Sequence, residues 1–159
     1  MKDLSMLIKQ ETTLQFNTFD EDIAWQIGSA IYSRAISESL PIVIELQKFG
    51  NSLFFATRPG VILDNHGWVK RKLNTVQRFS CSSYRLGHEL FMENLDINQR
   101  YHLSPAEYTS AGGGFPIIVK GVGIIGGIAV SGLPERQDHQ IIVDALCDFL
   151  GYERKELTL

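Results

Sequence analysis

Three stretches of this sequence hold residue types that could act on a ligand, and all three favour a negative group. Gly112-Gly113-Gly114 precedes Phe115. Consecutive glycines can turn successive backbone N–H groups toward one anion. Arg71, Asn74 and Arg78 fall at i, i+3 and i+7, so a helix presents them on one face. Forked guanidinium hydrogen bonds suit a carboxylate or a phosphate. Ser131-Gly132 leads into a helix opened by Leu133-Pro134-Glu135, whose free amides and dipole suit the same chemistry. Asp138 and His139 lie near the start of that helix. Each stretch also has a purely structural explanation. Glycines let a chain enter a sheet tightly, a basic face is commonly solvated, and Glu135 or Asp138 can cap the helix themselves.

Other motifs point away from familiar chemistries. Gly121 to Gly126 matches G-x-G-x-x-G, but glycines and β-branched residues follow, so a hairpin is expected and not the helix a dinucleotide needs. His88-Glu89 resembles the start of a zinc-protease motif, yet position 92 is Met. His66, His88, His102 and His139 show no metal-ligand spacing, so no metal site is expected. His66 and His102 lie near loops and could reach an axial haem position. His139 follows Asp138 and could serve as an acid or base. No nucleophile elbow, P-loop or Ser/His/Asp pattern is found, and no catalytic residue is assigned.

The 159 residues suit one domain with a single core, taken as 1–159. Hydrophobic content of 44% and charged content of 21% are those of a globular protein. A net charge of −3 argues against nucleic acid as partner. No apolar run is long enough for a membrane span, and the N-terminus lacks a signal-peptide core. Cys81 and Cys147 lie in helical patterns and read as buried free thiols. These features favour the cytoplasm.

The elements that must position these residues follow from periodicity. A brief amphipathic helix over 3–10 precedes a short β-rich stretch, Thr12 to Phe16. Asn17-Thr18 can cap a helix running from near Phe19 to near Leu40, where Pro41 ends it. Strands over 42–49 and 52–58 flank the turn Gly50-Asn51. A helix capped by Asp64 or Asn65 runs to about Cys81. Its apolar side is Trp68, Val69, Leu73, Val76 and Phe79, with Lys70, Arg71, Lys72 and Arg78 on the rest. Another helix carries Leu86, Leu90, Phe91 and Leu95. A polar loop, 98–111, leads to strands over 115–120 and 123–131. The last helix runs from Pro134 at its first position to Leu150, and the tail from Tyr152 frays. Two hairpins separated by helices argue for an antiparallel sheet covered by helices, an α+β domain.

Several segments together carry a family resemblance. Gly113-Gly114-Phe115-Pro116-Ile117, Gly126-Gly127, Val130-Ser131-Gly132-Leu133-Pro134 and Gln137-Asp138-His139 resemble the haem-degrading-domain family of the GlcG/HbpS type, in its bacterial and fungal branch. Arg71-Lys72-Leu73-Asn74-Thr75-Val76, with Arg78-Phe79 and Ser82-Ser83, adds to the match. The resemblance spans about Ile23 to Leu150. It implies a profilin-like fold of α/β/α layers with a five-stranded antiparallel sheet, in which Thr12–Phe16 is the first strand. It also implies homo-oligomers, and haem as a cofactor.

The expectation is therefore an oligomeric small-molecule-binding protein. Its ligand would be a small carboxylate or phosphate, or the propionates of a tetrapyrrole. The expected site lies between the basic helix face and the final helix. It comprises Arg71, Asn74, Arg78, Gly112, Gly113, Gly114, Phe115, Ser131, Asp138 and His139. A haem-binding or haem-degrading protein, another enzyme, and an oligomeric scaffold without catalysis remain the alternatives.

Overall fold

Alternating apolar residues build the sheet. Strand β1 (Val43–Lys48) turns at Phe49-Gly50 into β2 (Asn51–Thr57), and β3 (Gly114–Val119) turns at Lys120–Val122 into β4 (Gly123–Ser131). The computed structural model, which describes residues 2–159, joins the two hairpins through their inner strands. The order is β2-β1-β4-β3, antiparallel throughout. Val43 pairs with Ser131, and Gly114 with Ala129. Two helices, α2 (Glu21–Ser37) and α6 (Glu135–Leu150), cover one face of the sheet. Helix α3 (Leu63–Phe79) covers the other. Helix α1 (Lys2–Thr13) packs on α4 (Ser83–Glu93), and α5 (Ile97–Tyr101) is a single short turn.

The period of two sends alternate residues to opposite faces. Ile44, Leu46, Phe115, Ile117, Ile128 and Val130 join α2 and α6 in the main core. Each of these fully buried side chains contributes roughly 1.5–3 kcal/mol. Val43 and Ala129 face α3, where Val69 and Leu73 meet them.

The sheet has four strands, not five. The strand expected over Thr12–Phe16 is absent because α1 extends to Thr13, and the Thr12 hydroxyl bonds back to the Ile8 carbonyl at 3.1 Å. Only Phe16 reaches the sheet, through one parallel bridge to Val119. Its N–H donates to the Ile118 carbonyl (2.8 Å) and its carbonyl accepts from the Lys120 N–H (2.9 Å).

Several element ends also differ from expectation. Asp20, rather than Asn17 or Thr18, caps α2, its carboxylate accepting from the Ile23 N–H at 2.8 Å. That helix stops at Ser37, and Ser39 turns the chain at φ 54° ahead of Pro41. Asn65 sits inside α3 and accepts from the Ile62 N–H, closing the first turn from within. Helix α5 occupies the start of the expected 98–111 loop, capped by Asp96. Pro134 stands at the N-cap of α6 and not inside it. The tail does not fray. Leu157 is buried, and its carbonyl accepts from Gln10 Nε2 at 2.7 Å. The Leu159 N–H donates to Gln140.

Candidate functional site

Val69, Lys72, Leu73 and Val76 fall at i, i+3, i+4 and i+7 of α3, the spacing of a core-facing stripe. Lys72 is therefore carried inward, to 2% exposure. Its Nζ donates to the Val130 carbonyl (2.8 Å) and to Asp138 Oδ2 (2.9 Å). Asp138 Oδ1 accepts from the Leu133 N–H at 3.0 Å, fixing the turn that opens α6. Burial lowers the proton affinity of Lys72 and pushes Asp138 up to about 6, against the attraction of the pair. Gly113 makes the approach possible. It stands at φ 117°, and a Cβ there would lie 2.7 Å from Lys72 Nζ and 2.4 Å from the Val130 carbonyl oxygen.

The glycine amides are largely taken up by the protein itself. The Gly112 N–H donates to Glu135 Oε2 (3.1 Å) and the Gly114 N–H to Ser83 Oγ (3.0 Å). Phe115 is fully buried in the main core. The basic side chain that meets Gly113 is Lys72, expected outside the apolar side of its helix. Arg71, Asn74 and Arg78 have other partners. The Arg71 guanidinium stacks on Trp68 at 3.9 Å, and its Nε donates to the Gly67 carbonyl. Asn74 Nδ2 donates to the Glu107 carbonyl at 2.8 Å, and Arg78 lies 5.8 Å from the Tyr108 ring. None of these contacts involves Gly112–Phe115.

His139 is completely buried, with ring centroids of Tyr84 and Phe115 at 5.2 and 5.8 Å. Gln10 gives its amide N–H to Leu157, so its Oε1 accepts from His139 Nε2 at 2.7 Å. That assigns the proton to Nε2 and leaves Nδ1 buried without a partner among the described residues. Burial, aided by His88, pushes the imidazole down to about 3. His139 is a neutral core residue, out of reach of solvent as an acid or base. His66 lies against the Phe55 ring and His102 ends α5 at φ 57°.

Two adjoining clefts open beside these groups and share Trp68, Ala111 and Glu135. The smaller, about 280 Å³, is lined by Lys72 and Asp138 together with Asn65, Ser131 and Leu133. The larger, about 670 Å³, has Leu4, Trp68, Tyr84, Phe91 and Met92 as its apolar wall and Asp3, His88 and Glu135 as polar groups. His88 Nδ1 lies 3.0 Å from the Tyr84 carbonyl, one turn back on α4. Its Nε2 is 3.8 Å from Asp3 Oδ2, beyond hydrogen-bond distance. The sequence signal for His88 was its helical register with Tyr84, Phe91 and Met92, which a search for zinc spacing passes over. No cluster of three metal-ligating side chains occurs among the described residues. Cys81 and Cys147 are buried and free, their thiols pushed up by burial to about 12 and about 11, so neither is a ready nucleophile. No described helix is long and apolar enough to cross a membrane.

The fold matches that of the Ybr137w protein with a TM-score of 0.86 at 26% identity, covering 93% of this chain and 87% of that one. The crystal structure of the PduOC:Heme complex matches with a TM-score of 0.67 at 20% identity, over 83% of this chain and 94% of that one. In sequence, the chain is 58% identical over 158 residues to a UPF0303 protein of Pseudomonas entomophila, covering 99% of this chain and 88% of the relative. Residues 19–147 match the family model described as haem degrading protein HbpS-like, and the chain belongs to that family.

Proposed function

We propose that this protein binds a planar, largely apolar ligand of the haem type in the larger cleft, with His88 as the iron ligand. The observation that carries the reading is His88 itself. The Tyr84 carbonyl holds Nδ1 as the donor, which leaves the Nε2 lone pair uncommitted at the wall of an apolar cleft. This donor set fits haem, whose iron commonly takes a histidine. Bound haem supplies one-electron and O₂ chemistry. The chain's own part is to orient the imidazole and to offer ring and thioether surface from Trp68, Phe91 and Met92. Phe91, 84% exposed, is apolar surface that such a ligand would cover. The haem-containing PduOC chain of similar fold supports the reading. A small carboxylate or phosphate near Gly113 has less support, because the Gly112 and Gly114 amides and Lys72 already have acceptors.

Adding haem to the purified protein should produce a shifted Soret band. The band should be lost in His88→Ala and kept in His66→Ala and His102→Ala. A band unchanged by His88→Ala would refute the assignment.

Self-association completes the proposal. Leu63, 82% exposed, and the exposed Ile62, Trp25 and Val122 leave apolar surface on several sides of the fold. Light scattering at micromolar concentration should report a homo-oligomer; a monomer would count against it.

A further inference from the structure

The Lys72–Asp138 pair is costly to bury, since apolar residues of the same size are often as stable in such a place. Position alone does not account for it. An ammonium has three protons to donate. Two go to the Val130 carbonyl and Asp138, and no protein acceptor for the third occurs among the described residues. The same side chain lines the smaller cleft, about 280 Å³, beside Ser131 and Asn65. A hydrogen-bonded amine and carboxylate are thus brought together at the wall of a space large enough for a few heavy atoms.

We propose that Lys72 is the reactive amine of this cleft and forms an imine with a small neutral aldehyde or ketone, Asp138 carrying the proton. The proposal concerns a different cleft from the haem reading and does not depend on it. In the step, the Lys72 ammonium passes a proton to Asp138 Oδ2. The freed Nζ lone pair adds to the carbonyl carbon, and a proton moves from nitrogen to oxygen to give a neutral carbinolamine. Asp138 then returns its proton to the hydroxyl, which leaves as water while the C=N bond forms. The products are a protonated imine on Lys72, one water, and Asp138 again as carboxylate. Charge and atoms balance without any further reactant.

Geometry and environment favour this step. The two atoms that exchange the proton are 2.9 Å apart. Burial lowers the affinity of the amine and raises that of the acid, so their proton affinities approach one another. Gly113 lets the backbone pass close beside the pair, where any Cβ would press on Nζ and displace it. Charge sets the substrate class. Asp138 balances Lys72, and Glu135 adds a further carboxylate to the cleft lining. A neutral carbonyl compound is therefore preferred to an oxo-acid.

The test treats the full chain with glycolaldehyde and sodium cyanoborohydride at neutral pH, then maps the modified lysines by peptide mass spectrometry. Lys72 should carry the largest share of label, above the exposed Lys70, Lys120 and Lys155. In the guanidinium-unfolded chain that preference should vanish. Label on the exposed lysines with Lys72 unmodified would overturn the proposal and leave the pair purely structural. A preference for Lys72 that persists on unfolding would overturn it too, because the fold would not be its cause. Glyoxylate in place of glycolaldehyde should label Lys72 less; an equal or greater share would overturn the preference for a neutral substrate.

Discussion

Toward α2 and α6 the sheet buries Ile44, Leu46, Phe115, Ile117, Ile128 and Val130 in one continuous apolar cluster. Toward α3 the same strands contribute a much smaller apolar cluster, Val43 and Ala129 met by Val69 and Leu73. Polar groups fill out that side. Thr75 is buried and donates to the Thr109 carbonyl, and Ser83 accepts from the Gly114 N–H. Lys72 reaches past the strand ends to Asp138 on α6, between Gly113 before β3 and Leu133 after β4. The first face is held by area removed from water, which any well-packed apolar set supplies. The second depends on specific hydrogen bonds, one of them between charged groups, and both clefts open on it.

Three measurements sharpen or break this contrast, from the largest effect to the smallest. Lys72→Met leaves Asp138 charged, buried and unpaired. It should cost about 3–5 kcal/mol in urea unfolding, as much as an apolar truncation such as Ile128→Ala on the opposite face. The two losses differ in kind. Adding Asp138→Leu to Lys72→Met should recover part of the loss, whereas no second truncation rescues Ile128→Ala. If the Lys72 and Asp138 losses simply add, the pair is uncoupled and the contrast fails.

The next effect is read through pH. His139 in the native chain titrates at about 3, below the ordinary 6.5. The unfolded chain therefore takes up a proton below pH 6.5 that the native chain refuses, and stability falls as pH drops from 6.5 toward 3. Asp138 acts in the opposite sense. Raised to about 6, it is protonated in the native chain first and adds stability between about 6 and 3.8. His139→Leu removes only the first contribution. Between pH 7 and pH 5 the unmodified chain should lose about 2 kcal/mol relative to the variant. Parallel pH profiles for the two would show that His139 is protonated without penalty in the native state.

The smallest effect is at His88. It lies at the wall of the larger cleft, partly exposed and outside the buried apolar clusters. His88→Ala should change stability by no more than about 0.5 kcal/mol, while removing the Soret band. A large loss of stability would place His88 among the structural polar groups of the α3 side.

The two hairpins, the helices and the main core were legible in the sequence because they rest on spacing between near neighbours. Ile42, Ile44 and Leu46 alternate, and Ile141, Ile142 and Leu146 recur at helical intervals. The three glycines before Phe115 stand out in the sequence, but the groups they meet, Glu135, Ser83 and Lys72, do not. Periodicity also carries a signal for Lys72, which occupies the stripe of Val69, Leu73 and Val76 although its charge sets it apart from them. Other features were beyond any local pattern. Phe16 bridges to Val119, Gln10 joins His139 to Leu157, and Lys72 meets an aspartate 66 residues away. Periodicity determines which face a side chain takes on its own element. Which charge is buried, and against what partner, was decided only when α3 and α6 closed over opposite faces of one sheet and met beyond its strand ends.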